Sequence, residues 1–175
     1  MVIDKVTAAF GAIILIFAAL SPAVARDRNL IVLNVGHSDI DDFDEPTVEA
    51  NIEHSWARTI FGNGTWFSGV GPLIGLTITG KGGVFGYAGI YGDFFFSDSL
   101  VIRPEGGLGA FTPGDGKDLG GTFEIHGALT FAYIFDNEAR LGVTYSHISN
   151  GGVYASSPAL DSILLNYAFP IDPIF

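Results

Sequence analysis

The chain has 175 residues, no cysteine, a net charge of −11 and a mean hydropathy of +0.39, with 24 glycines and 15 phenylalanines. This length suits one domain. The cysteine count excludes disulfides and thiolate sites, and the acidic balance excludes a nucleic-acid partner, which needs a basic stripe. Such hydropathy in so acidic a chain demands a particular arrangement, and the order of residues supplies it.

Residues 1–25 read as a signal peptide. Lys5 precedes an apolar run from Gly11 to Leu20, Ser21-Pro22 breaks it, and Ala23-Val24-Ala25 supplies a small-residue cleavage pattern. The run is short of the roughly 20 residues that a spanning helix needs, so cleavage is expected rather than anchoring. One domain, 26–175, follows. The removed segment holds one Asp and one Lys, which leaves the charge unchanged.

Beyond Leu20 no apolar stretch is long enough for a membrane helix. Apolar residues alternate instead with Gly, Thr, Ser and charged residues. In lipid every backbone polar group must be satisfied internally, which only helices and closed barrels achieve. Barrel strands need only about 10 residues each. Eight are expected, over 28–37, 47–57, 65–79, 84–96, 99–110, 121–135, 139–149 and 160–169. Turn chemistry separates them, as in Gly62-Asn63-Gly64, Gly80-Lys81-Gly82-Gly83 and Pro113-Gly114-Asp115-Gly116. The expected fold is all-β, an eight-stranded antiparallel transmembrane β-barrel.

In chain order, the acidic run Asp39, Asp41, Asp42, Asp44 and Glu45 follows strand one. It lacks the spacing of a calcium loop and reads as a solvated connection. Strand two sets Glu49, Asn51, Glu53 and Ser55 against Val48, Ala50, Ile52, His54 and Trp56. Strand five sends Arg103 and Glu105 to the polar side. Strand six puts Phe123, Ile125, Leu129, Phe131, Tyr133 and Phe135 on one face, with Glu124, His126, Ala128, Thr130 and Ala132 on the other. The polar faces place Glu49, Glu53, Arg103, Glu105, Glu124 and Arg140 in a narrow lumen that side chains fill. Burying them is costly unless they pair, so Arg–Glu bridges are expected across the inside. Trp56, Trp66, Tyr87, Tyr91, Tyr133 and Tyr145 fit interfacial girdles. His54 has no adjacent nucleophile and reads as an interfacial structural residue; His37 and His126 have no metal-ligand spacing, and no metal site is expected.

With both termini on one side, 58–64, 97–98 and 136–138 are the inner turns. The longer connections 38–46, 111–120 and 150–159, with the short 80–83, lie outside. Strand seven then runs outward to Tyr145-Ser146-His147-Ile148-Ser149-Asn150-Gly151-Gly152. Side chains two apart in a strand share a face, so His147 and Ser149 are neighbours about 7 Å apart along the backbone. They share parity with Leu141, Val143 and Tyr145, the greasy side. In strand eight Asp161 has the parity of Ile163, Leu165, Tyr167 and Phe169. A base, a hydroxyl and a carboxylate therefore project from an apolar surface, which points to chemistry on a lipid. Ester cleavage needs a nucleophile beside a base, and an acid that orients the base. Asn150 and the backbone N–H groups of Gly151 and Gly152 are candidate oxyanion donors.

The segment His147-Ile148-Ser149-Asn150, with a carboxylate 14 residues past the His, resembles the lipid A 3-O-deacylase (PagL) family of outer-membrane barrels. The terminal Phe175 and the eight-strand layout agree with it. The resemblance implies His147 as general base, Ser149 as nucleophile and Asp161 as the orienting acid, with Asp where the family has Glu. It further implies lipid A of lipopolysaccharide as substrate, cleavage at the 3-position without a cofactor, and an outer-membrane location with the site on the outer-leaflet side. A homodimer is compatible with it. Lys81 and Lys117, on outer connections, are candidates to attract lipid A phosphates. The alternative from another class is a non-catalytic structural or adhesive barrel. A soluble lipocalin-type barrel ranks third and would carry its apolar faces inside.

Overall fold

The computed structural model describes residues 28–40, 47–63 and 65–171. Residues 1–25, expected to be a signal peptide, most of the acidic run 39–45 and Phe175 lie outside the described residues. Eight strands form the barrel: β1 (Asn29–Ser38), β2 (Thr47–Ser55), β3 (Phe67–Thr79), β4 (Val84–Ser97), β5 (Leu100–Thr112), β6 (Phe123–Ile134), β7 (Arg140–Ser149) and β8 (Ala159–Ile171). Each pairs antiparallel with the next, and β1 pairs with β8 from Asn29↔Ile171 to Ser38↔Ser162, which closes the sheet. Closure leaves no strand edge unpaired, the condition that lipid imposes.

Alternation sorts the side chains as the sequence phasing expects. Val35, Ile52, Ile74, Leu108, Phe131, Val143 and Leu165 stand exposed on the outside. Glu49, Glu53, Arg103, Glu124 and Arg140 are buried inside, and the Glu105 carboxylate lies 3.9 Å from Arg103 within the same lumen. This is the inverse of a lipocalin.

The expected Arg–Glu pairing is present around Arg103, 3.9 Å from Glu105 and 4.0 Å from Glu53, but the closest contacts of the interior network run through an aspartate. This is Asp93 on β4, which accepts from Arg103 Nε at 2.7 Å and from an Arg140 Nη at 2.8 Å. Glu49 accepts instead from the Ser162 hydroxyl at 2.7 Å, and the Glu124 carboxylate has no hydrogen-bond partner among the described residues. Asp93 was not foreseen, because it shares parity with Tyr87 and Tyr91, and the girdle reading of those tyrosines sends that face outward. Those two tyrosines are themselves corrected: they point into the lumen and not to a girdle. Room for them comes from β3, where a Cβ on Gly75 would lie 2.2 Å from the Tyr87 ring. Their hydroxyls find polar partners, Tyr91 donating to the Trp56 carbonyl at 2.7 Å. Arg103 sits over the Tyr91 ring, 4.0 Å from its centre.

The inner connection between β2 and β3 runs over 56–66, longer than the expected 58–64. Trp56 has left the strand, and Ile60 folds back to exchange two hydrogen bonds with Val70, at 2.9 and 2.8 Å. A β-bulge between Phe67 and Val70 makes this fold-back, with Gly69 at a φ of 100°. At the opposite end Phe85, Phe111, Leu119, Ile148 and Leu160 belong to one buried cluster that plugs the lumen. This plug is what holds the site.

Candidate active site

β7 and β8 pair without interruption from Arg140↔Ala168 to Ser149↔Ala159. On two successive rungs of this ladder the faces alternate. Ile148 and Leu160 are direct partners that point inward, 1% and 4% exposed, within the apolar plug. The next rung, His147 and Asp161, points outward. Burial of the first rung anchors the backbone of the second, so the outward pair stands on a fixed support.

Direct cross-strand partners have Cβ atoms about 4.5–5.5 Å apart, a gap that an Asp and an imidazole can bridge. Here the Asp161 Oδ1 to His147 Nδ1 distance is 2.9 Å. The shorter carboxylate therefore reaches the ring. On the other side of the ring, Nε2 lies 2.9 Å from the Ser149 hydroxyl. With Nδ1–H donating to the carboxylate, the Nε2 lone pair is free to accept from Ser149. The His147 side chain is 43% exposed and that of Asp161 is 17% exposed, so the carboxylate is the more sheltered member. Tyr145, read in the sequence as a girdle residue, donates its hydroxyl to the same Oδ1. That contact was not foreseen, because it is diagonal across the ladder.

The expected oxyanion donors are placed less simply. Asn150 has inward parity and is fully buried. Its Nδ2 donates to the carbonyls of Leu119 at 2.6 Å and Ser156 at 2.9 Å, and its Oδ1 accepts from Gly152 N at 3.0 Å. This carboxamide organises the β7–β8 loop and does not face Ser149. The N–H of Gly152 is engaged with it. Among the expected donors, the N–H of Gly151 is left without a partner among the described residues; Gly151 holds a φ of 62° at the turn out of β7.

Beside His147 on the outer wall, its β6 partner is Gly127. A Cβ there would meet nothing within 4 Å, which leaves open space next to the imidazole. At the loop end Lys117 bridges to Asp39 at 2.6 Å. Asp39 is the one described member of the acidic run. His54 packs edge-on against Trp56 with centroids 4.4 Å apart, and His126, one rung from Gly127↔His147, points into the lumen, 3.2 Å from the Ser146 hydroxyl.

A family model described as lipid A 3-O-deacylase (PagL) matches residues 47–170, most of the chain and all three members of the outward line. The chain belongs to this family. Its barrel is thus that of an outer-membrane enzyme family whose activity is lipid A deacylation. Among solved structures it is similar to that of the outer membrane enzyme PagL, with 22% identity over 81% of this chain and 99% of that one, at a TM-score of 0.60. A de novo designed transmembrane β-barrel is also similar, at 14% identity over 83% of this chain and 96% of the other, with a TM-score of 0.55. At these identities the two structures speak for the fold, and the family match speaks for the family. No curated protein sequence matches the chain.

Proposed function

We propose that the protein, exported with removal of residues 1–25, hydrolyses the 3-O-linked acyl ester of lipid A at the outer leaflet through Ser149, His147 and Asp161. The observation that carries this reading is the unbroken line from the Ser149 hydroxyl through both nitrogens of His147 to Asp161, on the lipid-facing wall. A structural barrel has no need of three polar side chains there, where each must be held against an apolar surround.

In this scheme the Ser149 oxygen attacks the acyl carbonyl as its proton passes to His147 Nε2. The resulting imidazolium is stabilised by Asp161 through Nδ1–H. The sugar oxygen leaves with the proton from Nε2, and the acyl chain stays on Ser149. Water then attacks the acyl-enzyme, giving its proton to His147, and Ser149 recovers a proton as the fatty acid departs. The N–H of Gly151 is the candidate donor to the oxyanion. Open wall beside Gly127 and the apolar outer faces of β7 and β8 are suited to an acyl chain. Lys117 and Lys81 on the outer connections suit the lipid A phosphates, and no step calls for a cofactor. The deciding experiment is mass spectrometry of lipid A incubated with the detergent-folded protein. Loss of one 3-hydroxyacyl mass is expected from wild type and not from Ser149→Ala; wild-type turnover by that variant would overturn the assignment.

A further inference from the structure

We propose that Tyr145 is a positioning residue of this site, its phenol fixing the Asp161 carboxylate so that Oδ1 faces His147. The proposal rests on the Ser149–His147–Asp161 reading. It begins from register. Tyr145 lies opposite Ile163 on β8, two rungs deeper in the wall than His147↔Asp161 and on the same face. Diagonal neighbours in an antiparallel ladder are about 7–8 Å apart, within reach of an aromatic side chain. The tyrosine spans that diagonal and places its O–H on Asp161 Oδ1, the same oxygen that faces His147 Nδ1.

Two donors on one oxygen, arriving from different residues of β7, hold a carboxylate more tightly than one. With only the imidazole as partner, Asp161 keeps the freedom of its terminal torsion, which is broad and roughly two-fold. It also stands at the boundary between lipid and polar loops, where turning toward water is favourable. The phenol removes both freedoms. Tyr145 is 47% exposed on the apolar wall, where an O–H without a partner would be costly, so its own needs direct it to the carboxylate. A girdle residue would explain the ring but not this aim. The ring and the hydroxyl are separable by experiment, because Tyr145→Phe keeps the first and deletes the second.

The test is a double-mutant cycle on detergent-folded protein with purified lipid A, comparing wild type, Tyr145→Phe, Asp161→Ala and the double variant. Folding of each is checked by heat-modifiable mobility in gels. Tyr145→Phe should lower kcat about fivefold, the worth of one hydrogen bond, with KM unchanged. In the Asp161→Ala background the same substitution should cost nothing further in kcat, because a positioning role is exerted through that carboxylate. An unchanged kcat in Tyr145→Phe would overturn the proposal. So would an equal loss in both backgrounds, which would make the tyrosine a membrane anchor independent of Asp161. Turnover by a parallel Ser149→Ala control would instead remove the reading on which the proposal stands.

Discussion

Replacing Asp161 by Ala deletes the partner of His147 Nδ1 while leaving the Ser149–His147 contact in place. Asp161 takes no part in the buried plug, and its rung is supported by Ile148↔Leu160 beneath it, so the barrel should fold unchanged. What is lost is a hydrogen bond at 2.9 Å that becomes charge-assisted when the imidazole takes up the serine proton. Hydrogen bonds to charged groups contribute about 1.5–3 kcal/mol, which corresponds to a loss of roughly 10- to 150-fold in kcat. The loss is bounded because His147 is nearly half exposed and polar surroundings can partly solvate its cation. Asp161→Glu should stay within about tenfold of wild type and not exceed it, since the native carboxylate already meets the ring and an added methylene must be accommodated by displacement. The assay is the release of 3-hydroxy fatty acid from lipid A over time, measured by mass spectrometry on folded variants. An Asp161→Ala protein within threefold of wild type would refute the argument that this carboxylate orients the base.

Ser149→Ala and His147→Ala should each abolish turnover while leaving heat-modifiable mobility and melting temperature at wild-type values, because both side chains lie outside the packed lumen. Gly127→Leu should reduce kcat/KM by filling the open wall beside His147, with little change in melting temperature; wild-type kinetics would show that the substrate does not use this wall. Inside the barrel, Asp93→Ala should destabilise by about 3–5 kcal/mol in denaturant titrations, since it strips the close carboxylate from both Arg103 and Arg140. Glu124→Gln should have no destabilising effect, because its buried carboxylate has no hydrogen-bond partner to lose among the described residues; a marked drop in the unfolding midpoint would contradict this.

Period-two alternation determined a great deal of this protein. Because one face of each strand meets lipid and the other a crowded lumen, a single slip would reverse every side chain, and the pattern in β6 admits only one phasing. The same parity put His147, Ser149 and Asp161 on the outer wall and sent Glu49, Glu53, Arg103, Glu105, Glu124 and Arg140 inward. Parity does not say which residues meet across the lumen. Asp93 became the partner of two arginines through the closure and stagger of the barrel, which bring β4, β5 and β7 side chains together at one level. Nor did aromatic character alone separate girdle from lumen: Tyr87 and Tyr91 turn inward because glycines on β3 leave them space. The register of β7 on β8 is likewise a tertiary property. It made His147 and Asp161 direct partners, so that the short carboxylate spans the gap, and it set Tyr145 on the diagonal to the same oxygen. Alternation along one strand carries no information about the rung on which its neighbour stops; hydrogen-bond register across the ladder decides that.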